Sequence, residues 1–155
     1  MSRWQRWLLH TANLLVGGTG LVYAVMRYGM EPADEWSVIH HPWQPQVQHG
    51  HVLVAPLLVF ACGLIWRGHV VAHWDGERTS RRSGPGLAFA FVPMIVSGYL
   101  LQTSVAPGWR SAWVVIHAVS SAIWLVLFAA HAAVSLRRRV YSGACRSGRN
   151  SSSAQ

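Results

Sequence analysis

Lysine is absent from this 155-residue chain: all thirteen basic residues are arginine, set against five acidic ones, for a formal net charge of +8. Charged residues make up 12% of the sequence, about half the share of an average soluble domain. With 52% hydrophobic residues, the chain is not disordered, since disorder requires low hydrophobicity. The positive charge does not run along one polar stretch, which argues against a nucleic-acid binder. Cysteine occurs twice, at Cys62 and Cys145, too sparsely for a disulfide framework. No paired carboxylates sit in an apolar stretch, and no glycine-rich loop follows a strand. No Ser/His/Asp set is singled out by spacing, so soluble-enzyme chemistry has no support. What the chain has instead is nine histidines and nine tryptophans. Its length allows one ordinary domain or one small helical bundle.

A membrane helix needs about 20 mostly apolar residues. Four stretches meet or approach this: Trp7 to Tyr28, His49 to Trp66 with a continuation towards Val71, Leu87 to Val105, and Ala112 to Leu136. Pro93 falls inside the third, where neighbouring groups in a membrane can re-satisfy the carbonyl it frees. The first stretch is too long for the apolar region of a signal peptide, and no clean cleavage site follows it before Met30. The expected fold class is all-α, an integral membrane four-helix bundle over residues 1–141. The Ser- and Arg-rich residues 142–155 read as a disordered cytoplasmic tail. No internal repeat is evident in the sequence.

Arginine sets the orientation. Eleven arginines precede span one, separate spans two and three, or follow span four, and only Arg27 and Arg110 lie on the other side. The positive-inside rule then places both termini in the cytoplasm. The charge thus carries topological information and requires no acidic partner. Glu31, Asp34 and Glu35 fall in the outer loop, and no acidic residue lies within a span. Trp4, Trp7, Trp66 and Trp74 mark the inner interface, and Trp36, Trp43, Trp109 and Trp113 the outer one. Trp124 alone sits at mid-depth.

Polar or ionisable residues inside a span are costly and usually functional. Span four holds His117 and His131, fourteen residues apart. That spacing returns to within about 40° of the same helix face and separates the rings by about 21 Å along the axis. One ring is then near the outer side and one near the inner, which suits two stacked macrocycles, each on its own histidine. At matching depths, His10 in span one pairs with His131. His117 pairs with His51 or His49 at the start of span two. His51 sits deeper and shares a face with Ala55 and Cys62, whereas counting back from Arg67 favours His49. His69 competes with His10 for the inner position, but it follows Arg67 and belongs nearer the interface. His73 and Trp74 read as interface residues, and His40 and His41 as solvated loop residues, with a surface metal site there as a lesser alternative. The free N–H of each ligating ring needs an acceptor, and Ser120, Ser121 and Ser135 are candidates close in sequence. Gly17, Gly18, Gly20 and Gly98 allow a helix or a flat ring to approach the backbone closely. No Cys-x-x-Cys-His occurs, which excludes covalent haem attachment.

Together these residues resemble a family. A histidine near the start of span one followed by Thr19-Gly20, a histidine opening span two, and two histidines fourteen apart in span four are similar to the four-helix di-haem cytochrome b subunits of membrane-bound formate dehydrogenases and nickel–iron hydrogenases. The resemblance covers spans one, two and four. Ser97-Gly98-Tyr99 in span three is compatible with it without being diagnostic. The resemblance implies bis-histidine axial ligation by His10, His117, His131 and either His49 or His51. It also implies two non-covalent haem b groups between the helices. The expected role is that of an electron-transfer subunit of an oxidoreductase in a bacterial inner membrane. Its partners would be the lipid bilayer, the quinone pool, and a membrane or periplasmic redox protein. An inner quinone site near His69, His73 and Trp74 is one expectation. The rival readings are a haem-free anchor or assembly subunit whose histidines hold helices together, and a small transporter or metal-handling protein. The last lacks the paired repeats and broken helices of transporters.

Overall fold

In a computed structural model the backbone is described for residues 1–32, 34–73 and 83–152, and side chains for 1–32, 34–72 and 85–137. Four α-helices follow in order: α1 (Arg3–Tyr28), α2 (Gln44–Ile65), α3 (Ser83–Thr103) and α4 (Pro107–Ser152). Trp66–Val70 continues α2 as a π-helical turn and Val71–His73 as a 3-10 turn. No strand occurs among the described residues. The four apolar segments Arg3–Tyr28, Gln44–Val70, Pro85–Thr103 and Pro107–Arg137 are each long and apolar enough to cross a membrane. This is the pattern of a multi-pass membrane protein.

The helices form two compact units, residues 1–76 and 77–155, each a hairpin: α1 packs on α2, and α3 on α4. Within each hairpin the contact face repeats at alternating intervals of three and four. On α2 it runs through His51, Ala55, Leu58, Cys62 and Ile65, of which the last three are buried. On α1 it runs through Leu9, Asn13, Val16 and Gly20, with Ala12 beside it, and Leu9, Ala12 and Asn13 are buried. On α3 the face is Ala90, Met94 and Ser97, all buried, and on α4 it is His117, Ser120, Trp124, Leu127 and His131. Such a spacing keeps one seam on the partner helix as the two wind together. His117 and His131 are two heptads apart on that seam, as their fourteen-residue spacing implies. The Trp124 ring fills the middle of it, 5.0 Å from the Phe91 ring and 6.3 Å from that of Phe128. The opposite faces carry exposed Leu14, Leu21 and Val25 on α1, Leu53 and Phe60 on α2, Phe89 and Val92 on α3, and Val119 and Val126 on α4. In water these would be a liability; hydrocarbon solvates them at no cost.

The helices start four or five residues before the apolar stretches, where local chemistry sets their ends. Ser2 caps α1: its hydroxyl accepts from the Gln5 N–H (3.3 Å), and its own N–H donates to Gln5 Oε1 (2.8 Å). This capping box contributes about 1 kcal/mol. Gly29 closes the same helix by donating to the Val25 carbonyl. Pro45 enters α2 and Pro107 starts α4, in the first turn, where a missing N–H is harmless. Pro56 and Pro93 both lie inside helices, within the second and third apolar stretches of the sequence.

Arg27 and Arg110, the two arginines on the minority side, both serve backbone carbonyls. Arg110 donates to the Leu101 carbonyl near the end of α3 (2.9 Å), where a cation also meets the negative end of the helix dipole. Arg27 donates to the Val38 carbonyl (3.1 Å) and to His40 Nε2 (2.8 Å). His40 Nδ1 in turn donates to the Met30 carbonyl (2.7 Å), and its backbone N–H to Gln44 Oε1 (3.0 Å). His40 is therefore not a solvated loop residue but the centre of a network tying the 29–43 connection to both of its helices. Both ring nitrogens are used, so a surface metal site through His40 would have to dismantle the network. His41 Nδ1 likewise accepts from the Trp43 N–H (3.1 Å). Replacing Arg27 by alanine should loosen this connection and raise its rate of cleavage by an added protease severalfold, with the spans left intact. An unchanged cleavage rate would mean the network does not hold the loop.

Candidate functional site

His51 and His117 are each held by the neighbouring helix of their own hairpin, in the same way. In the first hairpin, His51 Nδ1 lies 3.1 Å from Thr19 Oγ1 and 3.1 Å from the Val16 carbonyl oxygen. The Thr19 hydroxyl donates to the Leu15 carbonyl (2.7 Å), with Val16 O at 3.1 Å, and so offers its lone pairs to the ring. In the second hairpin, His117 Nδ1 lies 3.2 Å from Ser97 Oγ and 3.0 Å from the Met94 carbonyl oxygen. The Ser97 hydroxyl donates to the Pro93 carbonyl (2.6 Å), with Met94 O at 3.1 Å.

A carbonyl oxygen only accepts, so the proton of each neutral imidazole is on Nδ1. The lone pair is then on Nε2, the form in which histidine ligates a metal. Each ring also lies on a glycine. A Cβ added to Gly20 would stand 2.9 Å from His51 Cε1, and one added to Gly98 would stand 3.2 Å from His117 Cε1. At Gly18 an added Cβ would meet nothing within 4 Å. Gly20 and Gly98 therefore admit an imidazole, which is more specific than the general close packing expected of the glycines.

The two cradles correspond point for point. Each has a hydroxyl residue, a glycine directly after it, a carbonyl three residues before it, and a histidine on the returning helix. Thr19 and His51 are 32 residues apart, Ser97 and His117 only 20. Yet in both hairpins sixteen helical residues separate the pair, nine and seven in the first and six and ten in the second. The difference lies wholly in the connections, fifteen residues against three. This is a structural repeat that the sequence conceals, because only the hydroxyl, the glycine and the histidine are shared and the loops differ in length.

His49 and His51 differ in their surroundings. His49 is exposed, whereas His51 packs on α1. Ser120 Oγ donates to the Ile116 carbonyl (2.7 Å) and Ser135 Oγ to that of Ala132 (2.8 Å), while the groups at His117 Nδ1 belong to α3. An imidazole extends away from its own helix, so its acceptor comes from the facing helix, and nearness in sequence does not find it. Ser97 was recognisable only as a polar residue in an apolar span.

His131 is half-buried on the α4 seam, and His10, three residues before the buried Asn13 on α1, is exposed, whereas its competitor His69 is half-buried. Asn13 has no motif to announce it; its place on the face of Leu9, Val16 and Gly20 is the only signal. His69 falls in the π-helical turn, whose wider winding interrupts the register counted from His51. The side chain of His73 and all of Trp74 lie outside the described residues, and with them the expected inner quinone site. Among the described residues no three His, Cys, Asp or Glu side chains gather to hold a bare metal ion.

No family model matches the chain, and no curated protein or solved structure is similar enough to it to count as a match.

Proposed function

We propose that the protein is a di-haem b-type cytochrome of a bacterial inner membrane, carrying electrons between a redox partner and the quinone pool. The observation that carries this reading is the repeated cradle, which presents two imidazoles as Nδ1–H tautomers with the ligating lone pair on Nε2. A polar residue needed only to join helices would not require a glycine beneath its ring at both places. His51 and His117 would ligate the outer iron, and His10 and His131 the inner one, with His69 the alternative to His10. Two histidines occupy both axial positions of each iron, leaving electron transfer as the chemistry the group supplies when bound. The chain's residues then have three tasks: to hold the rings in one tautomer, to orient them through the facing helix, and to exclude water. On this reading it acts as the electron-transfer subunit of an oxidoreductase.

The rival reading is a haem-free anchor or assembly subunit, and it draws on the same bonds, since Thr19–His51 and Ser97–His117 also join helices. An optical spectrum of the purified protein separates the two. Reduced b-type bands, with about two haems per chain released by acid–acetone, are expected; their absence favours the anchor. Both termini should face the cytoplasm. A C-terminal reporter active only outside the cytoplasm would contradict that orientation.

A further inference from the structure

We infer that Thr19 and Ser97 are equivalent positioning residues, each tuning one axial imidazole of the same haem through its Nδ1–H. The inference deepens the di-haem reading and rests on it. Both hydroxyls are committed as donors to carbonyls of their own helices, Thr19 to Leu15 and Ser97 to Pro93. What each offers the ring is therefore a lone pair. The ring proton is shared between that hydroxyl and a carbonyl, at 3.1 and 3.1 Å for His51 and at 3.2 and 3.0 Å for His117. Pulling on Nδ1–H makes Nε2 more basic. A more basic ligand favours ferric over ferrous iron, so the two hydroxyls lower the potential of the haem that these rings hold. Because the geometry repeats, the two contributions should be of similar size. The carbonyls of Val16 and Met94 remain when the hydroxyls are removed, so the tautomer and the ligation should survive, and tuning should change without loss of haem.

The test uses the full-length protein in detergent, with Thr19→Val and Ser97→Ala made singly and together, Thr19→Ser and Ser97→Thr as conservative variants, and Ser120→Ala as a control. Redox titration should show each single variant moving the same haem to a more positive potential by comparable amounts. The double variant should approach a tenfold change in the reduction equilibrium, about 59 mV for one electron. The other haem should not move, the conservative variants should restore the wild-type value, and Ser120→Ala should match the wild type. Unchanged potentials in both single variants at full haem content would overturn the inference, as would shifts in two different haems.

Nitrogen-15 spectra of histidine-labelled protein supply a readout that does not depend on haem. Thr19→Val should perturb the His51 Nδ1 resonance alone, and Ser97→Ala that of His117 alone. Resonances that do not respond would count against positioning even in a haem-free protein. Missing b-type bands in the wild type would instead count against the di-haem reading itself.

Discussion

If the protein is the di-haem cytochrome we propose, replacing His117 by alanine is expected to halve the haem content, from about two per chain to one, and to leave the inner haem in place; His131→Ala should do the reverse. The two rings lie on one seam of α4, fourteen residues or about 21 Å apart, too far for a single iron. Alanine leaves no Nε2 and no nitrogen of any kind at the axial position, so the affected group has lost half its ligation. Helix insertion depends on apolar length, so both variants should reach the membrane in wild-type amounts. His10→Ala should mimic His131→Ala, and His51→Ala should mimic His117→Ala, while His49→Ala should change little because His51 is the histidine seated on Thr19 and Val16 of α1. Pyridine haemochrome assays against protein concentration measure all of these. Loss of the inner haem in His69→Ala, with both haems kept in His10→Ala, would reassign the inner ligand and leave two haems standing. Unchanged haem content in both His117→Ala and His131→Ala would remove the basis of the reading.

A methyl group at Gly20 should be nearly as damaging, although glycine carries no chemistry. The added Cβ would stand 2.9 Å from His51 Cε1 and 3.3 Å from Nδ1, closer than carbon atoms pack. The ring cannot retreat without lengthening its bonds to Thr19 and Val16. Overpacking of this kind costs roughly 1–3 kcal/mol, enough to weaken retention of the outer haem by about fivefold or more. Gly98→Ala should behave in the same sense but more mildly, since its Cβ would meet His117 Cε1 at 3.2 Å, where a shift of a few tenths of an ångström relieves the contact. Gly18→Ala meets nothing within 4 Å and should be neutral or slightly stabilising to the helix. Haem loss during thermal denaturation in detergent, followed by absorbance, ranks the three. Indistinguishable Gly20→Ala and Gly18→Ala proteins would show that the close approach of ring and backbone has no consequence for ligation.

Some of this protein follows from its sequence alone. Apolar length sets four helices, because twenty residues of hydrocarbon-compatible side chains admit little else. The fourteen-residue interval puts His117 and His131 on one face, because helical winding is a local property of the backbone. Prolines at the starts of α2 and α4 and a glycine after α1 mark helix ends for equally local reasons. Tertiary structure alone decided which groups meet across helices. His51 rather than His49 turns to α1, Ser97 rather than Ser120 receives His117, and His40 is bound to Arg27 instead of solvated. Two connections of unequal length hid the repeat, since loop length shifts sequence separation without moving the helical positions it joins. The physical reason is one of range. Helix formation and burial depend on intervals of three and four residues, whereas a ring's acceptor lies one helix diameter away, at a sequence distance that nothing local records.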